Sequence, residues 1–199
     1  MERTSLTGLL LAGGRGSRMG MDKAELEFAG VPLARRVAGV LAQVAERVIV
    51  ASGDGSRLGW LGLEQVPDAV PDAGPLGGLV AGLEAAETTL VVAAAVDMPF
   101  ASAALFRLLA DEWSGEEAVV PVSDHGPEPL HAVYATAAAT TLRAALDRGE
   151  RSVIEALAGL RVRTVSRSEW KRVEPDGAFA RNLNVPEDLH RLGRHLPEG

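Results

Sequence analysis

The sequence predicts an α/β fold, a mostly parallel sheet flanked by helices, from three observations. Short apolar runs of strand length alternate with longer segments of helical periodicity along the whole chain, and such alternation sets parallel strands side by side under helices. Apolar residues make up 47% of the chain and aromatic residues only 4%, so the core is built of Leu, Val and Ala, which suits helices on a sheet better than an aromatic-rich sandwich. The 199 residues are enough for one domain, residues 1–199, that buries a sizeable core without staples.

The elements follow in order. TGLLLA (7–12) is an apolar run ended by glycines, as a strand buried on both faces should be. Pro32 suits a helix's first turn, and Leu33, Val37, Val40, Leu41 and Val44 recur at helical spacing. RVIVAS (47–52) reads as a strand. GPLGGLVAGLEAAE (74–87) reads as a helix whose costly glycines point to a tight backbone approach near its start. LVVAAAV (90–96) is the most sheet-like run, and SAALFRLLADEW follows as a helix capped by Ser102. AVVPVS and LHAVYA are strands, ATAAATTLRAALDRG is a helix ended by Gly149, SVIEAL is a short helix, RVRTVS a strand and PEDLHRLGRHL a last helix. The least regular stretches are 53–62, 123–128 and 166–181.

Composition also bounds function. The absence of cysteine excludes disulfides, thiolate metal sites and cysteine nucleophiles. A net charge of −7 argues against a broad nucleic-acid surface, so a polyanion must be met by a few local basic groups. The LTGLLLA run after Arg3 is short, is interrupted by Gly8 and lacks a cleavage signal. No apolar stretch approaches the roughly 20 residues of a membrane span. A cytoplasmic protein without membrane contact is expected.

The densest functional signal is LLLAGGRGSRMGMDK (9–23). A Walker A loop needs a glycine before the lysine and a hydroxyl after it, but Lys23 stands between Asp22 and Ala24. A G-x-G-x-x-G fingerprint starts at Gly14 and Gly16, yet Met19 occupies the third glycine position. The stretch can be a plain strand-to-helix turn. Its crowding of donors also suits a triphosphate: Gly13, Gly14, Gly16 and Gly20 let backbone N–H groups face a ligand, and Arg15, Arg18 and Lys23 add cations.

LAGGRGSRMGMDKA resembles the signature loop of the molybdenum cofactor guanylyltransferases, within the wider nucleotidyltransferases that act on nucleoside triphosphates; residues 11–14, 18–20 and 22–23 match its L-A-G-G, R-M-G and D-K. PDAVPDAGPLGGL (67–79), VDMPF (96–100), EPLHAVY (128–134), GERSVIEAL (149–157) and FARNLNVPEDL (179–189) resemble further family segments in the same order. The resemblance implies a single-domain, Rossmann-like nucleotidyltransferase fold that moves GMP from GTP to molybdopterin with Mg²⁺. It implies cofactor-biosynthesis and molybdoenzyme proteins as partners. L-A-G-G with Asp22 before Lys23 implies GTP over CTP, since the cytidylyltransferase relatives carry L-A-A-G and lack that aspartate. Ala51 and Ser52 stand where some members carry an asparagine, and Val185 replaces a threonine.

The same resemblance distributes the site. It implies catalytic roles for Arg18, Lys23 and Asp97, and a nucleotide site of Leu11, Ala12, Gly13, Gly14, Lys23, Asp68 and Asp97. Read as residues alone, Asp97 is a helix-entry aspartate or a magnesium ligand at a strand end, and Asp68 a turn residue or a nucleotide contact. The family holds its metal on the aspartate of D-x-P-F, which points to Asp97. Acceptor contacts are expected in segments 123–160 and near the C-terminus. Arg151 precedes a predicted capping box of Ser152 and Glu155, where a cation opposes the helix dipole unless an anion intervenes. His131 faces the pterin or fills the core; Asn182 and Asn184 contact phosphate and metal, or Asn184 opens a helix. A cytidylyltransferase, an inactive nucleotide-binding module and a GTPase switch remain as alternatives, the last disfavoured by the missing Walker A pair.

Overall fold

A computed structural model of the chain describes residues 5–13 and 22–183. In chain order the elements are β1 (Leu6–Leu11), β2 (Glu27–Phe28), β3 (Val31–Pro32), α1 (Leu33–Leu41), β4 (Arg47–Ala51), β5 (Glu64–Val66), α2 (Gly74–Ala85) and β6 (Leu90–Ala95). They continue with α3 (Ala103–Asp111), β7 (Ala118–Ser123), β8 (Gly126–Pro127), β9 (His131–Ala135), α4 (Ala138–Asp147), α5 (Val153–Ala156), β10 (Val162–Val165) and α6 (Arg167–Trp170). The helix expected over PEDLHRLGRHL lies outside the described residues.

The main sheet runs β10-β7-β9-β6-β1-β4-β5, with β8 paired to β7. Neighbouring strands along this path are parallel except at β9, which is antiparallel to both β6 and β7, and β8 is antiparallel to β7. The break falls between the two strands read in succession from the sequence, AVVPVS and LHAVYA: β7 turns back through β8 into β9 without a crossover helix, so β9 runs the other way. Two further elements escaped the sequence pattern. β5 is only three residues long, and the β2–β3 hairpin turns through Ala29 and Gly30, both at positive φ, where alanine is not expected.

β1 is buried at all six positions because helices cover both faces of the sheet. Leu6 and Leu10 join one core with Val37, Leu41, Leu105 and Phe106 of α1 and α3. Leu9 and Leu11 join the other with Leu76, Leu79, Leu83 and Leu142 of α2 and α4. α2 is buried nearly all round, since it is pressed between the sheet and α4. The tight approach expected near its start is present, since a Cβ on Gly77 would lie 2.9 Å from Ala73 Cβ and one on Gly78 3.1 Å from Ala51 Cβ; a further one, not expected, stands near its end, where a Cβ on Gly82 would lie 2.3 Å from the methyls of Leu9. Pro32, expected inside the first turn of α1, instead ends β3 and stands just before the helix. Ser102 caps α3 as predicted, accepting from the Leu105 N–H at 3.2 Å. No helix among the described residues is long and apolar enough to cross a membrane.

Candidate active site at the carboxyl ends of the strands

Strand register decides which residues meet. Leu11 is paired with Ala51 and with Ala95, and Ala51 in turn with Val66. Two residues beyond each of these come Gly13, Gly53, Asp97 and Asp68, so four chain segments leave the sheet together at its carboxyl edge. Backbone bonds carry the register past the strands: Ala12 N–H to Ala51 O at 2.9 Å, Val96 N–H to Leu11 O at 3.0 Å, and Asp68 N–H to Gly53 O at 3.0 Å. Open α/β sheets bind ligands at this edge. A cleft of about 250 Å³ opens there, lined by Leu11, Ala12, Gly13, Lys23 and Asp97, with Gly78 and Pro75 of α2. Larger clefts beside Arg148 and between Arg36 and Ser102 contain no such meeting of strand ends.

Lys23 opens a short 3-10 turn, Lys23–Glu25, whose preceding Asp22 caps it by accepting from the Ala24 N–H at 3.0 Å. The Lys23 ammonium lies 3.2 Å from Asp97 Oδ2, with both side chains about one quarter exposed. Asp68 leans its carboxylate on the opposite wall. A Cβ on Gly13 would stand 2.9 Å and 3.1 Å from its two oxygens, and one on Gly78 would stand 3.3 Å from Oδ1. Burial raises the Asp68 carboxyl above the usual range, against a backbone hydrogen bond from Gly53 and the nearby Arg57 charge. Its Oδ1 is buried and has no hydrogen-bond partner among the described residues.

Arg57 carried no sequence signal, being one arginine in an irregular stretch, yet it is central here. Its Nε donates to Ser52 O at 2.9 Å, and its two terminal nitrogens bond Ala12 O and Asp22 Oδ2. Both Asp22 oxygens are therefore engaged within the protein. Ser52 itself is fully buried.

The predicted acceptor-side residues separate. The backbone beside Asn182 is tied to Asp97: Leu183 N–H donates to Asp97 O at 2.8 Å, and Asn182 Oδ1 is buried with no partner among the described residues. His131 does not face a substrate. It is fully buried, its ring stacks on Phe106 at 3.9 Å, and its Nε2 accepts the Ser102 N–H at 3.0 Å. Burial lowers its pKa to about 3, so the imidazole is neutral. Arg151 is exposed and donates to Leu146 O at 3.1 Å and Glu150 O at 2.8 Å, closing the end of α4. The predicted capping box is half met. Ser152 accepts from the Glu155 N–H, but Glu150 rather than Glu155 accepts the N–H groups of Arg151 and Ser152. Glu150 thus supplies the anion that a cation at this helix start requires. Gly14, Arg18 and Asn184 lie outside the described residues.

A divalent cation fits this edge on its donor chemistry. Among the described residues no three His, Cys, Asp or Glu side chains gather to hold a metal. Mg²⁺ needs only one or two carboxylates when substrate phosphates complete its shell, and the Asp97 carboxylate that lines the cleft is a hard oxygen donor of that kind.

Comparison with known proteins places the site in a family. The sequence model of the MobA-like NTP transferase domain matches residues 8–162. A curated relative from Cereibacter sphaeroides, named molybdenum cofactor guanylyltransferase, is 40% identical over 94% of this chain and 94% of its own. One from Pelotomaculum thermopropionicum, named "probable molybdenum cofactor guanylyltransferase", is 36% identical over 92% of this chain and 89% of its own. The crystal structure of molybdopterin-guanine dinucleotide biosynthesis protein A from Archaeoglobus fulgidus superposes with a TM-score of 0.82 at 28% identity, covering 94% of this chain and 97% of that one. The matched span begins within β1, contains Lys23, Asp68 and Asp97, and ends at the first residue of β10: the chain belongs to the MobA-like NTP transferase family.

Proposed function

We propose that this protein transfers GMP from GTP to the terminal phosphate of molybdopterin, giving molybdopterin guanine dinucleotide and pyrophosphate, in the cytoplasm. The observation that carries the reading is the Lys23–Asp97 pair set at the carboxyl ends of β1 and β6 beside a glycine turn. The names of the relatives supply the acceptor and the base.

An acceptor phosphate oxygen bonds to the α-phosphorus while the bond from that phosphorus to the oxygen bridging the β-phosphate breaks, and pyrophosphate leaves. A phosphate monoester has its second pKa near 6, so the nucleophile is already mostly ionised at neutral pH and needs no general base. Among the described residues that line the cleft no histidine or carboxylate pair offers an acid–base dyad, which agrees with this. The protein's work is then positioning and neutralisation of charge. The strand end and glycine turn formed by Leu11, Ala12, Gly13 and Gly14 hold the nucleotide, Arg18 and Lys23 offset the charge of the phosphates, and Asp68 approaches the nucleotide from across Gly13. Asp97 would hold Mg²⁺, and Asn182 and Asn184 would assist it at the phosphates. When bound, Mg²⁺ neutralises phosphate charge and polarises phosphorus. Arg151 serves the acceptor, and GTP is preferred over CTP.

Incubation of the protein with Mg²⁺, molybdopterin and each nucleoside triphosphate in turn tests the proposal. Pyrophosphate and dinucleotide formed with GTP, and at most weakly with CTP, are expected. Equal product from CTP would return the chain to a cytidylyltransferase, and none from any nucleotide would make it a binding module.

A further inference from the structure

We infer that Arg57 is a positioning residue that ties Asp22 to the carboxyl ends of β1 and β4 and thereby sets the place of Lys23; the inference rests on the nucleotidyl-transfer reading above. Three partners of one guanidinium carry it. Ala12 O lies just past β1, Asp22 directly precedes Lys23, and Ser52 O belongs to the neighbouring strand end. The sheet does not hold Asp22 by itself, because Asp22 belongs to no strand. The guanidinium therefore anchors Asp22 to the ends of β1 and β4. Lys23 is the next residue, and its ammonium must reach Asp97 on the far side of β1.

Arginine suits this task for a geometric reason. Its planar fork presents five donors in fixed directions, so one side chain can hold a carboxylate and two carbonyls at once, whereas a lysine ammonium acts as a point charge. The fork is itself held. Asp54 Oδ1 accepts the Ser56 N–H at 2.8 Å and the Arg57 N–H at 3.0 Å, fixing the turn from which Arg57 projects. That turn is packed: a Cβ on Gly55, at φ +81°, would lie 3.0 Å from the Pro67 ring. With a side chain only 20% exposed, Arg57 works where water screens its contacts weakly.

The test compares wild type with Arg57→Ala, Arg57→Lys, Asp22→Asn and the Arg57→Ala/Asp22→Asn double variant. In the free protein, amide exchange at Ala24, whose N–H caps on Asp22, should quicken by about tenfold or more in Arg57→Ala. In the presence of saturating GTP, Mg²⁺ and molybdopterin, kcat should fall on the order of tenfold to a hundredfold, the loss that small misplacements of reacting groups cause. Arg57→Lys should recover part of kcat, and the double variant should be no worse than the more impaired single one. Unchanged Ala24 exchange with unchanged kcat in Arg57→Ala would overturn the assignment. So would additive losses that track only the thermal midpoint. If Arg57→Ala does not fold, Asp22→Asn decides, since it keeps the side chain's shape and removes the charge: wild-type kcat in it would refute the tie. The exchange measurement needs no substrate, so a wild-type protein inactive with GTP would fault the proposed reaction while the positioning of Asp22 is still judged by exchange.

Discussion

Lys23 Nζ and Asp97 Oδ2 stand 3.2 Å apart although 74 residues separate them in the chain. Lys23 opens a 3-10 turn that follows β1 in the chain, and Asp97 stands two residues past the carboxyl end of β6, the strand paired with β1. In isolation the pair has little structural value: partly exposed ion pairs contribute about 0–1 kcal/mol. Lys23→Ala should therefore leave the thermal midpoint nearly unchanged while turnover falls about 10²–10³-fold, the usual cost of losing one charge-stabilising donor. A variant with wild-type turnover in steady-state assays would return Lys23 to the solvated surface.

Gly13 and Asp68 make a second pair that can be broken selectively. A Cβ at position 13 would stand 2.9 Å from an Asp68 carboxylate oxygen, a contact that backbone or side chain must yield to relieve. Gly13→Ala should displace Asp68 and weaken GTP binding by about tenfold in calorimetry, with little loss of stability, because the carboxylate can swing toward solvent. Unchanged affinity would show that Asp68 does not touch the nucleotide.

His131 yields a pH prediction with a definite sign. Its folded-state pKa, about 3, lies below the ordinary 6.5, so between these values the unfolded chain binds a proton that the folded chain excludes. Stability is then complete above about pH 6.5 and falls as the pH drops toward 3, by at most about 1.4 kcal/mol per pH unit from this group. Denaturant titrations of wild type and His131→Gln between pH 4 and 7 should give a flatter profile for the variant. Parallel profiles would contradict the buried neutral imidazole.

Gly82 tests the packing of α2 on the sheet. Alanine is the better helix former by about 1 kcal/mol, yet its Cβ would meet Leu9 at 2.3 Å. Overpacking of this kind typically costs about 1–3 kcal/mol, so Gly82→Ala should lower the urea midpoint, and a raised midpoint would refute the close approach.

Much of this was legible in the residues themselves, and the exceptions share a cause. Periodicity located β1, α2, β6 and α3 because each buries an apolar pattern long enough to read, and the glycines of α2 announced the close approach at Gly77 and Gly78. β5 and the β2–β3 hairpin were too short to carry a period, and β9's reversal depends on the length of a connection rather than on its composition. At the site, Lys23 pairs with Asp97 and Asp68 lies against Gly13, and only strand register could show that Asp68 and Asp97 stand two residues past strand ends beside that of Gly13. Arg57 was silent because its partners are two carbonyls and a distant carboxylate, which leave no pattern along the chain. His131 misled for the opposite reason: a histidine within a functional-looking segment can serve the core, here by accepting the Ser102 N–H and stacking on Phe106.

The reaction centre itself rests on Asp97, and Asp97→Asn isolates it. The change keeps the shape of the side chain and its backbone surroundings, including the Asp97 carbonyl that accepts from Leu183, and removes the charge that pairs with Lys23 and is proposed to hold Mg²⁺. Turnover with GTP and molybdopterin at low millimolar Mg²⁺ should fall by roughly 10² or more in a folded protein, with partial recovery at high Mg²⁺ or Mn²⁺. An Asp97→Asn protein that turns over like wild type at low millimolar Mg²⁺ would contradict the assignment of the metal, and with it the placement of the reaction at this edge of the sheet.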